Sequence, residues 1–426
     1  MSRHIPWFLL GFTVMFSACG ESPSTAHSDA GLLEGSVDDH QVTESTVDLP
    51  LEPGYYLRGA TIIDGTGAGP LQGHALIIRG KKIVAVEPES QEIPQHLQVI
   101  NLEGMTLLPG FVDVHMHLAT LNNPQFGLDR ELDFGVTAIK DVAAPLETVL
   151  ALRDDVRAGR REGPRMVVTG PCFTAPGGHP ISTIFPNDPE MAAAIAITVD
   201  DAATARLEVA RLQAAGVDQI KCIITDVFGS RPRLDPAVLA AIVDEAQQRG
   251  LRTVVHTDSV EDIEAAMAAG AYSLEHGLSE GSMDSALAEE IAASGIAYVA
   301  TATMISQYRT SSREDILHNY AVLRAAGAKV AVGTDASNAG VVLGATFHQE
   351  LRLMVEGGYT EMEVLVAATR RGAEHLQLGD RIGTLESGKL ADVIAVKGDP
   401  LTDISLTEQV RLVLRDGVVV RDTLDE

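Results

Sequence analysis

Phe111-Val112-Asp113-Val114-His115-Met116-His117 is a β-prone apolar run that closes on a His-x-His pair. Seven more apolar, β-rich runs follow it, at residues 136–142, 166–172, 219–224, 253–257, 272–276, 297–301 and 330–335. Ala/Leu/Glu-rich stretches separate most of them, among them residues 201–215, 236–249 and 260–269. The last two have the apolar spacing of amphipathic helices. They run out at Gly250 and Gly270, where a helix ends readily in a left-handed residue. Eight strand–helix units within about 225 residues predict an α/β fold, a closed (β/α)8 TIM barrel over residues 111–380. A doubly wound open sheet is the competing arrangement and suits eight such units less well. No Gly-rich dinucleotide or P-loop motif follows the first strand.

Outward from the barrel the pattern changes to short β-type runs set apart by turns. Before it come residues 56–63, 75–79, 83–86 and 99–102, with Asp64-Gly65 and Gly80-Lys81 as turn signals. After it come residues 391–396, 410–414 and 418–421, with Asp416-Gly417 between the last two. Hairpin strands are therefore expected at both ends of the chain, over residues 53–110 and 381–426.

The extreme N-terminus reads as a secretory leader over residues 1–18: Arg3, an apolar run from Ile5 to Phe16, then small residues before Cys19. The run is too short to cross a bilayer comfortably, which takes about 20 apolar residues. Phe16-Ser17-Ala18-Cys19 resembles a bacterial lipobox. That implies lipidation at Cys19 and a protein held at the periplasmic face of a membrane by its N-terminal lipid alone. An ordinary leader cut near Ala18, giving a secreted or periplasmic protein, is the alternative. Residues 20–52 carry eight acids and no Lys or Arg among Ser, Thr and Gly. Such a composition buries too little apolar surface to offset its ordering entropy, so residues 19–52 are expected to be a disordered acidic tether. The single Trp of the chain is Trp7, so a processed protein contains none.

The formal charge is −27, from 32 Lys+Arg against 59 Asp+Glu. The acidity is spread over the body as well as the tether. It argues against nucleic acid as a partner, which requires a basic footprint. Three cysteines cannot make a disulfide scaffold. Cys172 and Cys222 fall near the ends of neighbouring strands and could pair outside the cytoplasm. Strand alternation turns Cys222 away from Lys221, however, and two buried thiols are expected.

Barrel enzymes carry their chemistry at the C-terminal ends of the strands. Here those ends hold His115 and His117 on strand 1, Lys221 on strand 4, His256 on strand 5, His276 on strand 6 and Asp335 on strand 8. Alternation puts His115 and His117 on one face and Met116 on the other. Each residue has a plainer reading: a hydrogen-bonded structural His, a helix N-cap at Asp335, a Lys221 bent out to solvent. Six donors at five strand ends in barrel order are hard to explain as separate accidents, and together they point to a metal site.

With these residues in view the chain resembles the amidohydrolase superfamily from about residue 55 to the end. Asn101-Leu102-Glu103-Gly104-Met105-Thr106-Leu107-Leu108-Pro109-Gly110, running into the strand 1 sequence, resembles the motif by which that family enters its barrel. Gly383-Thr384-Leu385-Glu386-Ser387-Gly388-Lys389-Leu390-Ala391-Asp392 resembles the motif by which it leaves. The resemblance implies that the hairpins at both ends form one composite β-sandwich domain. It also implies two divalent ions, of which imidazole and carboxylate ligands suit Zn²⁺. His115, His117 and Asp335 would hold one ion, and His256 and His276 the other. Lys221 would bridge them as a CO₂-derived carbamate, since an ammonium cannot bind a metal. Its apolar neighbours favour the neutral amine that reacts with CO₂. The implied reaction is hydrolysis of a C–N bond by a metal-activated water, with Asp335 as the general acid–base.

Within the superfamily the chain looks most like imidazolonepropionase-related enzymes that act as Xaa-Pro dipeptidases. Thr174-Ala175-Pro176-Gly177-Gly178-His179 resembles their Gly-Gly-His loop, where His179 would contact a substrate carbonyl or carboxylate. The plainer reading of that loop is a Gly-Gly turn with an exposed His. After strand 4 the family's Gly-Gly loop is replaced by Thr225-Asp226-Val227-Phe228-Gly229. Arg231 and Arg233, which follow, are candidates for binding a substrate carboxylate or are simply solvated. The expectation is a binuclear hydrolase of small-molecule or short-peptide amides, such as dipeptides or N-acyl amino acids. Lactone, carbamate or phosphoester hydrolysis at the same site, a mononuclear deaminase-like enzyme, and a non-catalytic ligand-binding lipoprotein are the alternatives. The oligomeric state is open.

Overall fold

The computed structural model describes residues 53–425 except 94, 228, 309, 310 and 339. The leader, Cys19 and the acidic tether lie outside the described residues.

All eight expected barrel strands are present: Phe111–Met116, Val136–Asp141, Arg165–Val168, Gln219–Ile223, Arg252–His256, Ser273–Glu275, Ala297–Val299 and Lys329–Ala331. Consecutive strands pair in parallel from the first to the third and from the fourth to the eighth. Asp218 donates its backbone N–H to Val168 at 2.9 Å, which joins the third strand to the fourth. Val114 donates to Val332 at 2.9 Å and Asp335 to His115 at 2.8 Å, which closes the ring. A closed sheet leaves no edge for another chain to extend.

The third strand departs from expectation. The run 166–172 breaks at Thr169-Gly170-Pro171 and resumes as Cys172–Thr174, which carries a short further strand, Ala196–Thr198. Gly170 is left-handed at φ 64° and Pro171 has no N–H to donate, so the ladder cannot continue through them.

The helices begin and end where their caps dictate. Asp201 accepts from the N–H groups of Ala203 and Thr204 to start Ala202–Ala215. Asp235 caps Pro236–Gln248, and a Ser259–Asp262 capping box starts Val260–Ala268. Gly250 and Gly270 follow the latter two in the left-handed conformation, at φ 74° and 75°.

The two chain ends form one sandwich. A four-stranded sheet runs in the order Lys82–Pro88, His74–Arg79, Gly54–Arg58, Leu97–Asn101. A five-stranded sheet runs Val418–Asp422, Val410–Arg415, Val393–Lys397, Met105–Pro109, Thr61–Ile62. The run expected at 56–63 is therefore two strands. Left-handed Gly59 (φ 80°) turns the chain, so that its halves join different sheets. Met105–Pro109 is a further strand hidden within the motif that leads into the barrel. Leu57, Ile62, Leu76, Ile78 and Leu107 from the N-terminal part pack against Val393, Ala395, Leu412 and Leu414 from the C-terminal part, all fully buried. Burying such a side chain contributes about 1.5–3 kcal/mol. Arg165, at the start of the third barrel strand, bridges Asp392 at 3.2 Å and Asp416 at 2.6 Å. It pins the barrel to the sandwich.

Candidate metal centre and active site

All six predicted ligands line one cavity of about 600 Å³. His115 and His117 both face it from the end of the first strand, while Met116 is buried in the layer outside the sheet. Lys221 reaches it from the fourth strand, and Cys222 packs into the outer core as alternation requires. Cys172 and Cys222 are both buried free thiols.

The ligand atoms of His115, His117 and Asp335 lie within 4.8 Å of one another. His117 Nε2 is 2.9 Å from Asp335 Oδ1, and His115 Nε2 is 3.6 Å from it. The other nitrogen of each ring is already engaged. His117 Nδ1 is 2.7 Å from the Val142 carbonyl, and His115 Nδ1 meets the Glu275 carboxylate. The next pair sits alongside: the His276 ring lies 4.7 Å from that of His115 and 4.2 Å from that of His256. Thr301 Oγ1 holds His276 Nδ1 at 2.7 Å. His276 (φ 69°) and Asp335 (φ 60°) both adopt left-handed backbone, a strain typical of sites that must aim a side chain. Asp335 is not a helix cap, since the next helix, Ala345–Glu356, starts at Gly344.

The electrostatics follow from burial and from these contacts. Burial lowers the His115 pKa to about 4, with the Lys221 charge adding to the effect. Burial, and then the neighbouring rings, hold His276 well below the usual imidazole range. Burial works against protonation of His117 too, but its bond to Asp335 and that carboxylate's charge outweigh it and raise the pKa. Asp335 is the reverse case. Burial alone would raise it, but the His117 hydrogen bond and the charges of His115, His117 and Lys221 hold it below the ordinary carboxylate value. His115 and His276 are thus held as neutral imidazoles beside an ionised Asp335, the protonation states a metal requires, while His117 must give up its proton to bind one.

Lys221 Nζ is buried and has no hydrogen-bond partner. Burial lowers its pKa. An unpartnered buried ammonium costs several kcal/mol. Burial thus shifts the balance towards the neutral amine.

The remaining sequence candidates divide. His179 does line the cavity. Its ring lies 5.1 Å from that of His256, and Thr183 Oγ1 holds its Nδ1 at 2.6 Å. Burial, then the nearby His256, lowers its pKa to about 3. Arg231 is not among the residues that line the cavity. Its backbone N–H bonds the Asp226 carbonyl at 2.8 Å, curling the loop on itself, and the exposed guanidinium donates to Ser230. Arg233 is committed to Asp262 at 2.8 Å and to Glu261.

Three functional neighbours escaped sequence reasoning. Asp258 lines the cavity 3.2 Å from His256 Nε2 and accepts from Ser279 Oγ at 2.6 Å. Glu275 and Lys140 form a fully buried ion pair at 2.9 Å beneath His115. Lys140 carried the same signal that marked Lys221, a lysine inside an apolar β-run. Leu121, Ile184, Phe185, Ile195, Met304 and Ile305 supply the apolar part of the cavity wall.

Comparison with known proteins agrees with this architecture. The sequence profile of the Amidohydrolase family matches residues 106–420. The ochratoxinase of Aspergillus niger is 28% identical over 416 residues, covering 83% of each chain. The imidazolonepropionase of Symbiobacterium thermophilum is 27% identical, covering 77% of this chain and 84% of its own. The crystal structure of a Xaa-Pro dipeptidase with bound methionine superposes with a TM-score of 0.76 at 25% identity, over 86% of this chain and 99% of that one. The enzyme is a hydrolase of carbon–nitrogen bonds. A family profile spanning nearly the whole body of the chain, and relatives aligned through barrel and sandwich alike, place this protein in the amidohydrolase family.

Proposed function

We propose that this protein is an exported binuclear amidohydrolase that cleaves small amides, dipeptides or N-acyl amino acids among them. The observation that carries the reading is Lys221 Nζ, buried without a partner among the described residues in a cavity walled by five histidines and Asp335. The donor set fits two divalent ions, Zn²⁺ by ligand type. His115, His117 and Asp335 would hold one, and His256 and His276 the other. Lys221, carbamylated by CO₂, would serve both. Such ions supply Lewis acidity and lower the pKa of water towards neutrality.

The chain's own groups account for the rest. Asp335, ionised in its surroundings, accepts the proton of the attacking water and returns it to the leaving nitrogen as the C–N bond breaks. The products are a carboxylic acid and an amine. His179, with Nδ1 engaged by Thr183, keeps Nε2 for the substrate carbonyl or carboxylate. The apolar wall suits a substrate with a bulky apolar group. The 28% identical ochratoxinase and the Xaa-Pro dipeptidase structure support an amide substrate. Export and anchoring at Cys19 rest on the leader sequence.

A single-metal enzyme is the second reading. The compact cluster of His115, His117 and Asp335, and an imidazolonepropionase relative, favour it. Metal analysis of the purified protein, with a hydrolysis screen over dipeptides and N-acyl amino acids, separates the two. Two ions per chain and amide cleavage are expected. One ion, with hydrolysis indifferent to Lys221→Ala, would establish the single-metal enzyme.

A further inference from the structure

Glu275 lies at the centre of a buried network that the reaction itself does not use. Its Oε2 meets His115 Nδ1. Its Oε1 accepts from Lys140 Nζ at 2.9 Å and from Ser273 Oγ at 2.6 Å. Lys140 Nζ also donates to His375 Nε2 at 2.9 Å. Lys140 and Glu275 are completely shielded from solvent, and His115 and His375 nearly so. The members come from the first, second and sixth barrel strands and from the helix Gly372–His375, so the network spans the barrel interior below the cavity.

An ionised carboxylate only accepts hydrogen bonds, so the His115 nitrogen facing Glu275 is the one that carries the proton. The other nitrogen, Nε2, is then a bare lone pair, and it is the one directed towards Asp335. Lys140 and Ser273 both bind Oε1, which leaves Oε2 to His115 and fixes the rotation of the carboxylate. A ring buried on all sides and tied at Nδ1 has one orientation.

We propose that Glu275 is a positioning residue that fixes His115 as an Nε2 metal ligand, and that Lys140 holds Glu275 in place to do so. The inference rests on the metal-hydrolase reading above. Outer hydrogen-bond partners of this kind change metal affinity by about 10–100-fold when removed.

The test uses the full-length protein. Glu275→Gln keeps the size of the side chain but removes the charge that demands a proton on Nδ1. It is expected to weaken Zn²⁺ binding in chelator competition by about 10–100-fold and to alter the visible spectrum of the Co²⁺-loaded protein. Because that variant leaves Lys140 unpaired, Glu275→Gln/Lys140→Met removes the pair together and is expected to show the same metal defect. In the unmodified chain loaded with ¹¹³Cd, coupling to His115 Nε2 and a proton on Nδ1 are expected. Unchanged Zn²⁺ affinity and an unchanged Co²⁺ spectrum in both variants, or ¹¹³Cd coupled to Nδ1, would overturn the proposal and leave the hydrolase intact. If the unmodified protein takes up none of these metals, the metal-hydrolase reading fails with it.

Discussion

His117 Nε2 lies 2.9 Å from Asp335 Oδ1, joining the end of the first barrel strand to the segment that leaves the eighth. The proposed proton-transfer group is thus set by the closure of the barrel itself. Asp335→Asn keeps the shape and removes the base. Amide hydrolysis is expected to fall by about 10²–10⁴-fold with the fold preserved. Measuring kcat alongside a thermal melt checks this. An active Asn variant would remove Asp335 from the reaction.

Lys221 should make the protein depend on dissolved CO₂. Stripping the metal with a chelator is expected to abolish hydrolysis, and Zn²⁺ with bicarbonate is expected to restore it better than Zn²⁺ alone. Labelled ¹³C-bicarbonate should give a carbamate resonance that Lys221→Ala lacks. A missing resonance in the loaded, active protein would show that the lysine acts otherwise.

Gly333 leaves no room for a side chain. A Cβ there would sit 2.6 Å from Val299 Cγ1 and 2.8 Å from His115 Cβ. Gly333→Ala must push a core side chain or a metal ligand aside. A loss of about 1–3 kcal/mol is expected from overpacking, together with weaker metal retention. Chemical denaturation and metal content read the two effects separately. A variant equal to the parent in both would show that the barrel wall yields here.

Glu350 gives a pH signature away from the site. Burial raises its pKa to about 7, and its bonds from the Ala302 and Thr303 N–H groups only partly offset this. Between the ordinary value of 4.5 and about 7 the unfolded chain releases a proton that the folded chain keeps. Stability therefore falls as pH rises through this window, by up to about 3 kcal/mol at 1.36 kcal/mol per pKa unit. Glu350→Gln removes that slope, so its stability relative to the parent should rise from pH 5 to pH 8. Denaturant titrations at the two pH values test it. A constant difference would refute the assignment.

Removal of the leader has an optical consequence. Trp7 is the only tryptophan, so protein recovered from the cell envelope should lack indole emission. Tryptophan fluorescence from that material would show that the leader is retained.

The barrel was legible because each strand is a short apolar run with helix caps between, and such signals are local. So was the meeting of the six candidate ligands in one cavity, five of them at or near the ends of their runs and Lys221 within its own. The break at Gly170-Pro171 shows the limit, because the apolar run passes straight through it while the backbone cannot. Met105–Pro109 was hidden because its sequence reads as the lead into the barrel. Glu275 and Lys140 make sense only together, and their meeting depends on two strands far apart in the chain. Arg231 was hard to place for the opposite reason. A loop residue has no periodicity to orient it, and the local turn took it to solvent.

Leu107 pairs with Ala395 across the middle of the five-stranded sheet. A chain emerging from the ribosome presents Leu107 long before Ala395. Until then the N-terminal strands can pair among themselves, but Met105–Pro109 lacks Val393–Lys397 beside it and their shared apolar face lacks its C-terminal cover. Closure of the sandwich is thus tied to synthesis of its C-terminal strands. Cutting away the last strands would not trim a tail but reopen the part of the molecule made first.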